Sequence, residues 1–254
     1  MLLNKRLMNN LEILSNKNNL AIDVNKNTDK SLIITDYTGS EITINCKENS
    51  HTTLLYFSKK EEIIKLNAKM LADSMLKIDF ILMNDNIDDS IEVELNGENT
   101  ECNIRVLSLA KNAKKDIHIN VIHNAKYSTS FVSNYGISFE NGVNNFIVSG
   151  KINSEMKDSD VRQITKGLIL DPTGRCEAKP ILLIDYYDVK AYHGATIGKI
   201  SDDDLFYLMS RGLSKKEAFM LVINGILEPF IKNITEEKIK NEIMFKYQDY
   251  FKGE

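Results

Sequence analysis

Histidine and cysteine are the side chains in this sequence whose chemistry most readily serves a metal or a cluster, because imidazole and thiolate suit zinc and iron–sulfur coordination. The chain carries four histidines and three cysteines among 254 residues. Cys46, Cys102 and Cys176 are far apart and form no Cys-x-x-Cys pair, so one copy of the chain cannot assemble a four-cysteine site. Cys46 and Cys102 fall in phase with Ile42/Ile44 and Ile104/Val106, which assigns both to a core. Cys176 follows the turn residue Gly174 and reads equally well as a thiolate ligand or as a small, half-buried hydrophobe. His118 and His123 have an odd separation, which in an extended strand places them on opposite faces. His51 follows Glu48-Asn49-Ser50 and reads as a loop residue. His193 taken alone would be a structural histidine more often than a ligand, so its role depends on the residues around it. The run Asp202-Asp203-Asp204 could hold a hard cation, yet acids in the first turn of a helix explain it without metal.

The elements that must position these groups follow from periodicity. Leu3, Leu7, Leu11 and Leu14 recur at near-helical spacing and predict a short N-terminal amphipathic helix over residues 1–19. From about residue 20 to 200 the period becomes two. Ile42/Ile44, Ile64/Leu66/Ala68/Met70, Ile78/Phe80/Leu82, Ile91/Val93/Leu95, Cys102/Ile104/Val106 and Ile117/Ile119/Val121 each predict a strand with one buried face. No crossover helix separates them, which disfavours a doubly wound sheet. A sandwich, a barrel and a β-solenoid all remain, and no strict repeat length selects one. Asp171-Pro172-Thr173-Gly174 predicts a turn or coil corner between two apolar runs.

After Ile200 the period is helical again. Ser201 is an N-cap and Gly212 a C-terminal stop for a first helix. Ser214-Lys-Lys-Glu217 is a capping box opening a second, which must end or bend before Pro229. Thr235-Glu-Glu237 opens a third, with Ile239, Ile243 and Tyr247 on one face. Phe206, Tyr207, Arg211 and Phe219 mix aromatic and guanidinium groups on these short helices, which suits a partner surface, or else packing onto the β-body.

Composition sets the class. The chain is 43% hydrophobic and 27% charged, with a net charge of −4. That is ordinary for a globular protein, and no basic stripe for a nucleic-acid backbone is present. Lys5 and Arg6 precede no continuous apolar stretch, so neither a secretory leader nor a membrane span is expected. An odd number of dispersed cysteines fits a reducing, cytoplasmic setting.

The stretch Asp188-Val-Lys-Ala-Tyr-His-Gly-Ala-Thr-Ile-Gly-Lys-Ile200, then Leu205-Phe-Tyr-Leu-Met-Ser-Arg-Gly-Leu213, Glu217-Ala218 and Ile223-Asn-Gly225, resembles the C-terminal signature of the SufB/SufD family. Lys166-Gly-Leu-Ile-Leu170 and Lys179-Pro180 resemble its last coils. Several motifs in register across a strand-to-helix transition are a specific signal.

The resemblance implies a mainly β fold, a right-handed parallel β-helix over residues 20–200. A C-terminal helical domain over residues 201–254 would dock an ABC-type ATPase, SufC, through Phe206, Tyr207, Arg211 and Phe219. It further implies pairing through the β-helix with a second copy or a SufB/SufD-like paralogue, and a transient iron–sulfur cluster assembled at that interface. The sequence holds no GxxxxGK[ST] phosphate loop, so the chain is expected to be a scaffold and not an enzyme, with ATP hydrolysed by its partner. His193 sits at the histidine that is a candidate cluster ligand in SufD-like members. Gly194 follows it as in SufD-like members, where SufB-like members carry a carboxylate. Cys176 lies about two residues from a SufB-like cysteine and is the second candidate ligand, while Ala191 stands where SufD-like members often carry cysteine. Two other readings are a degenerate structural paralogue that binds the ATPase but no cluster, and a β-solenoid enzyme acting on polysaccharide.

Overall fold

Each strand-predicting burst is short and ends at a corner, and successive strands alternate between two sheets instead of pairing with each other. The computed structural model describes residues 11–14, 19–35, 37, 39–58, 64–83, 85 and 87–251. It is a parallel β-solenoid of about five turns. Sheet A contains, in spatial order, β1 (Leu11–Leu14), β3 (Asp29–Thr35), β5 (His51–Ser58), β7 (Met75–Leu82), β9 (Glu101–Lys111), β11 (Thr129–Phe139), β13 (Asp160–Ile169) and β15 (Lys190–Gly198). Sheet B contains β2 (Leu20–Val24), β4 (Glu41–Cys46), β6 (Lys65–Met70), β8 (Ile87–Leu95), β10 (Lys114–His123), β12 (Val143–Ile152) and β14 (Arg175–Ile184). The alternating residues found from period two face inward: Ile42, Leu66, Ile78, Val93, Ile104 and Ile119 belong to one buried cluster between the sheets.

One corner recurs on every turn. Asn27, Asn49, Asp73, Asn99, Tyr127 and Asp158 all have positive φ. Asn and Asp tolerate this left-handed conformation better than other side chains that carry a Cβ. Each is followed by Ser or Thr, and the hydroxyls of Thr28, Ser50, Ser74, Thr100 and Ser128 donate to the carbonyl three residues back at 2.6–3.1 Å. That bond closes the turn and satisfies a carbonyl that the ladder leaves free. The turns also grow. Register runs Asp29↔His51↔Met75↔Glu101↔Thr129↔Asp160, successive spacings of 22, 24, 26, 28 and 31 residues. The solenoid therefore widens toward its C-terminal end.

Three helices follow: α1 (Asp202–Ser210), α2 (Lys215–Ile231) and α3 (Glu237–Tyr250). Ser201 caps α1, Gly212 (φ +97°) stops it, and the Ser214/Glu217 capping box opens α2. Helices α2 and α3 lie on the outer face of sheet A. Leu227, Phe230, Ile243 and Tyr247 bury against Leu55, Ile81, Leu107 and Ile137 in a second apolar layer. Each such side chain contributes on the order of 2 kcal/mol by leaving water. Helix α2 does not stop before Pro229 but runs to Ile231. The burial of Leu227, Phe230 and Ile231 outweighs the lost hydrogen bond, which costs about 3 kcal/mol in a helix interior.

The expected N-terminal helix meets a strand in its second half. Leu11–Leu14 is β1 and pairs with Ser31–Ile34 of β3, because sheet A offers a free edge that satisfies its backbone more fully than one isolated helical turn could. Residues 1–10 and 15–18 of that segment lie outside the described residues.

Candidate functional site

The last strand is half a turn. β15 pairs with β13 and faces β14, the last strand of sheet B, and among the described residues neither β14 nor β15 pairs with a further strand on its free edge. Val161, Gln163 and Thr165 of β13 are buried toward the lumen, and their register partners on β15 are Ala191, His193 and Ala195. By strand alternation His193 thus projects from the lumen-facing side of β15, and at this open end of the solenoid it is exposed. Tyr192 and Gly194 share the other side; a Cβ on Gly194 would stand 3.1 Å from the Tyr192 hydroxyl. A carboxylate-bearing residue at 194 would therefore have to displace the tyrosine.

Cys176 enters from β14, the opposing wall. It is 8% exposed, which matches the second of the two readings left open, a small buried side chain: it faces the core because Gly167 makes room for it. A Cβ on Gly167 would lie 2.5 Å from the Cys176 sulfur and 3.1 Å from Ile197 Cγ1. Burial pushes the Cys176 pKa up to about 11, which keeps it a neutral thiol near pH 7. Ile197 is four residues beyond His193, roughly 13 Å along a strand rising about 3.3 Å per residue. Cys176 and His193 consequently face the same open end from distant positions and do not meet within one chain. No group of three or more His, Cys, Asp or Glu poised for a metal occurs among the described residues.

The remaining thiols and imidazoles are occupied elsewhere. Cys46 and Cys102 are core residues, as their phase predicts, and burial raises the pKa of both. His51 is not a loop residue but the first residue of β5, with Nδ1 2.9 Å from Asp29 Oδ1. His118 lies exposed on the outer face of sheet B, Nε2 3.6 Å from Asp88 Oδ1. His123 is buried at the repeated corner between Ser128 Oγ (2.7 Å) and Ser130 Oγ (2.8 Å), and burial lowers its pKa to about 4.

The partner-surface residues divide. Helix α1 has no buried residue; Phe206 is 74% and Tyr207 57% exposed, and the Arg211 guanidinium lies 5.3 Å from the centre of the Tyr207 ring. Three of the four thus form one free aromatic and cationic face. Phe219 instead packs against the layer between the helices and sheet A. The exposed Leu183, Tyr187 and Ile197 around the last turn were missed from sequence. The signal was the run Ile181-Leu-Leu-Ile184, which has no polar alternation and so implies cover wanted on both faces.

The sequence profile of the SUF system FeS cluster assembly SufBD core domain matches residues 17–226. The chain belongs to the SufB/SufD family. It is 36% identical over 124 residues to the iron–sulfur cluster assembly protein SufD of Bacillus subtilis, covering 49% of this chain and 28% of that protein. With SufD of Escherichia coli it shares 26% identity over 225 residues, 82% of this chain and 51% of the relative. A SufBD family protein of Pyrococcus horikoshii is 40% identical over 91 residues, 36% of this chain and 20% of the relative. The chain therefore spans about half the length of these relatives or less. This SufB/SufD-family chain resembles SufD in particular, consistent with Gly194 after His193. No helix among the described residues is long and apolar enough to cross a membrane.

Proposed function

We propose that the chain is a non-catalytic scaffold subunit of a SUF assembly complex that pairs through the open end of its solenoid with a second SufB/SufD-like subunit, a paralogue or a second copy. A nascent iron–sulfur cluster is cargo at that junction, and His193 supplies one ligand. Helix α1 docks an ABC-type ATPase of the SufC kind through Phe206, Tyr207 and Arg211, and the complex works in the reducing cytoplasm.

The open end, with its two free strand edges, carries this reading. Edge strands β14 and β15 present unpaired backbone groups together with Leu183, Tyr192 and Ile197, a surface that invites continuation by another sheet. His193 stands on that surface, exposed and in no group of three or more potential ligands among the described residues, so a cluster there would draw further ligands from the partner. The three cysteines are free and buried, which favours a reducing compartment over a disulfide-forming one.

A second reading, a structural paralogue that binds the ATPase but no cluster, is favoured by Cys176 being a buried neutral thiol distant from His193. Anaerobic purification with the ATPase and the paralogous subunit, followed by iron and sulfide analysis, separates the two. The scaffold reading expects both elements in the complex and their loss with His193→Ala; equal content in the variant removes His193 from the ligand set. Docking is tested by point changes, because truncating at Ser201 would also strip α2 and α3 from sheet A. Phe206→Ser with Tyr207→Ser should abolish co-purification of the ATPase at unchanged thermal stability, and undiminished capture would refute α1 as the docking element.

A further inference from the structure

The layer between the helices and sheet A is largely apolar, and it holds one ion pair. Asp79 of β7 and Arg105 of β9 are register partners on the outer face, and Arg105 Nε donates to Asp79 Oδ1 at 2.6 Å while its second nitrogen binds Oδ2. Their side chains are only 10% and 19% exposed. A partly buried ion pair contributes little net stability once desolvation is counted, and replacing one with hydrocarbon is often neutral or stabilising. Its presence among Leu55, Ile81, Leu107 and Ile137 needs another reason.

The geometry supplies one. The Arg105 guanidinium lies 4.8 Å from the centre of the Phe230 ring of α2, its orientation fixed by two bonds to Asp79. Phe230 meets Tyr135 of β11 edge-on, centroids 6.2 Å apart at 90°. Lys166 of β13 stands 5.6 Å from the Tyr135 ring centre, and Lys166 pairs in register with Thr196 of β15. One continuous series of contacts thus runs from the helix that follows α1 to the strand that carries His193.

We propose that Asp79, Arg105, Phe230, Tyr135 and Lys166 are positioning residues that fix the register of α2 on sheet A and couple it to β15. An ion pair gives direction where hydrocarbon would let a helix slide, because the guanidinium fork has one orientation and the ring above it one seat. Movement of α1 and α2 by a docked ATPase then displaces Phe230, and through Tyr135 and Lys166 changes the edge on which the second subunit sits. The purpose of the coupling rests on the proposed docking and pairing; the coupling itself does not, and is measurable on the isolated chain.

The test is amide hydrogen exchange by NMR on the full chain, read at the β15 amides bonded to β13. Two mild variants cut the series: Phe230→Leu, which keeps apolar burial but removes the ring, and Arg105→Lys, which keeps charge but loses the fork. Ile243→Val in α3 is the control, loosening the same layer outside the series. Exchange in β15 should accelerate at least tenfold in both variants and stay at the native rate in the control, with thermal midpoints measured alongside. Native exchange of β15 in either variant, or equal acceleration in the control, would overturn the coupling. Because no partner is present, that result is independent of whether α1 docks an ATPase.

Discussion

His193 and His123 show how position decides what one side chain can do. His193 projects over an open end, exposed and in no group of three or more potential ligands among the described residues, which leaves it accessible to a partner. His123 is enclosed by two serine hydroxyls and carries a pH dependence instead. Its pKa falls from 6.5 to about 4, chiefly through burial. Between those values the unfolded chain binds a proton that the folded one refuses, so stability must fall as pH drops through this window, by up to about 3 kcal/mol. Urea titrations at pH 6.5 and 5 should give a lower midpoint at pH 5, and His123→Gln should flatten that difference; an unchanged difference in the variant would remove His123 as its source. Tyr247 is another residue set apart by burial: its hydroxyl is enclosed in the layer under α3 and makes no hydrogen bond. Removing an unsatisfied buried polar atom is neutral or favourable, so Tyr247→Phe should hold or raise the unfolding free energy by about 1 kcal/mol, and a loss of that size would reveal a partner for the hydroxyl.

Among the elements, the corner that repeats at Asn27, Asn49, Asp73 and Asn99 breaks its own rule at Tyr127, which holds φ 58° while 46% exposed. A bulky residue there is strained by about 1 kcal/mol or more. Tyr127→Asn should therefore raise the thermal midpoint, as calorimetry would show, and a lowered midpoint would mean that the ring makes a compensating contact. The same corner explains what period-two reading could and could not find. Strand after strand was legible from apolar alternation, and the three C-terminal helices from their caps, because these are local signals. The turn repeat was not, because its length grows from 22 to 31 residues over successive turns before the last, at 30, while a repeat search assumes constancy. Its true marker was the pair of an αL-tolerant residue and a hydroxyl, from Asn27-Thr28 to Asp158-Ser159. Leu11 and Leu14 misled for a related reason: helical spacing over a single turn is weak beside the pull of an open sheet edge, and Leu11–Leu14 went to strand. In the helices, Phe206 and Phe219 were alike in sequence, and only the placement of α2 on sheet A separates the free ring from the packed one.

For the molecule as a whole, two features set the account. Helices α2 and α3 cover sheet A across most of the solenoid, leaving α1 outside the layer, while the widest turn ends uncovered in β14 and β15. The family was readable from the segment between Tyr192 and Gly225, since its motifs are contiguous. The separation of Cys176 from His193 was not, because it depends on how β14 and β15 face each other across the lumen. On the proposed reading the open end is a shared cluster site to which this chain gives His193. Its most direct measurement is the iron and acid-labile sulfide content of the anaerobically purified complex, native against His193→Ala, with complex formation checked by sedimentation. The account predicts an intact complex whose bound iron and sulfide fall at least severalfold in the variant. Equal iron and sulfide in the two complexes would contradict it.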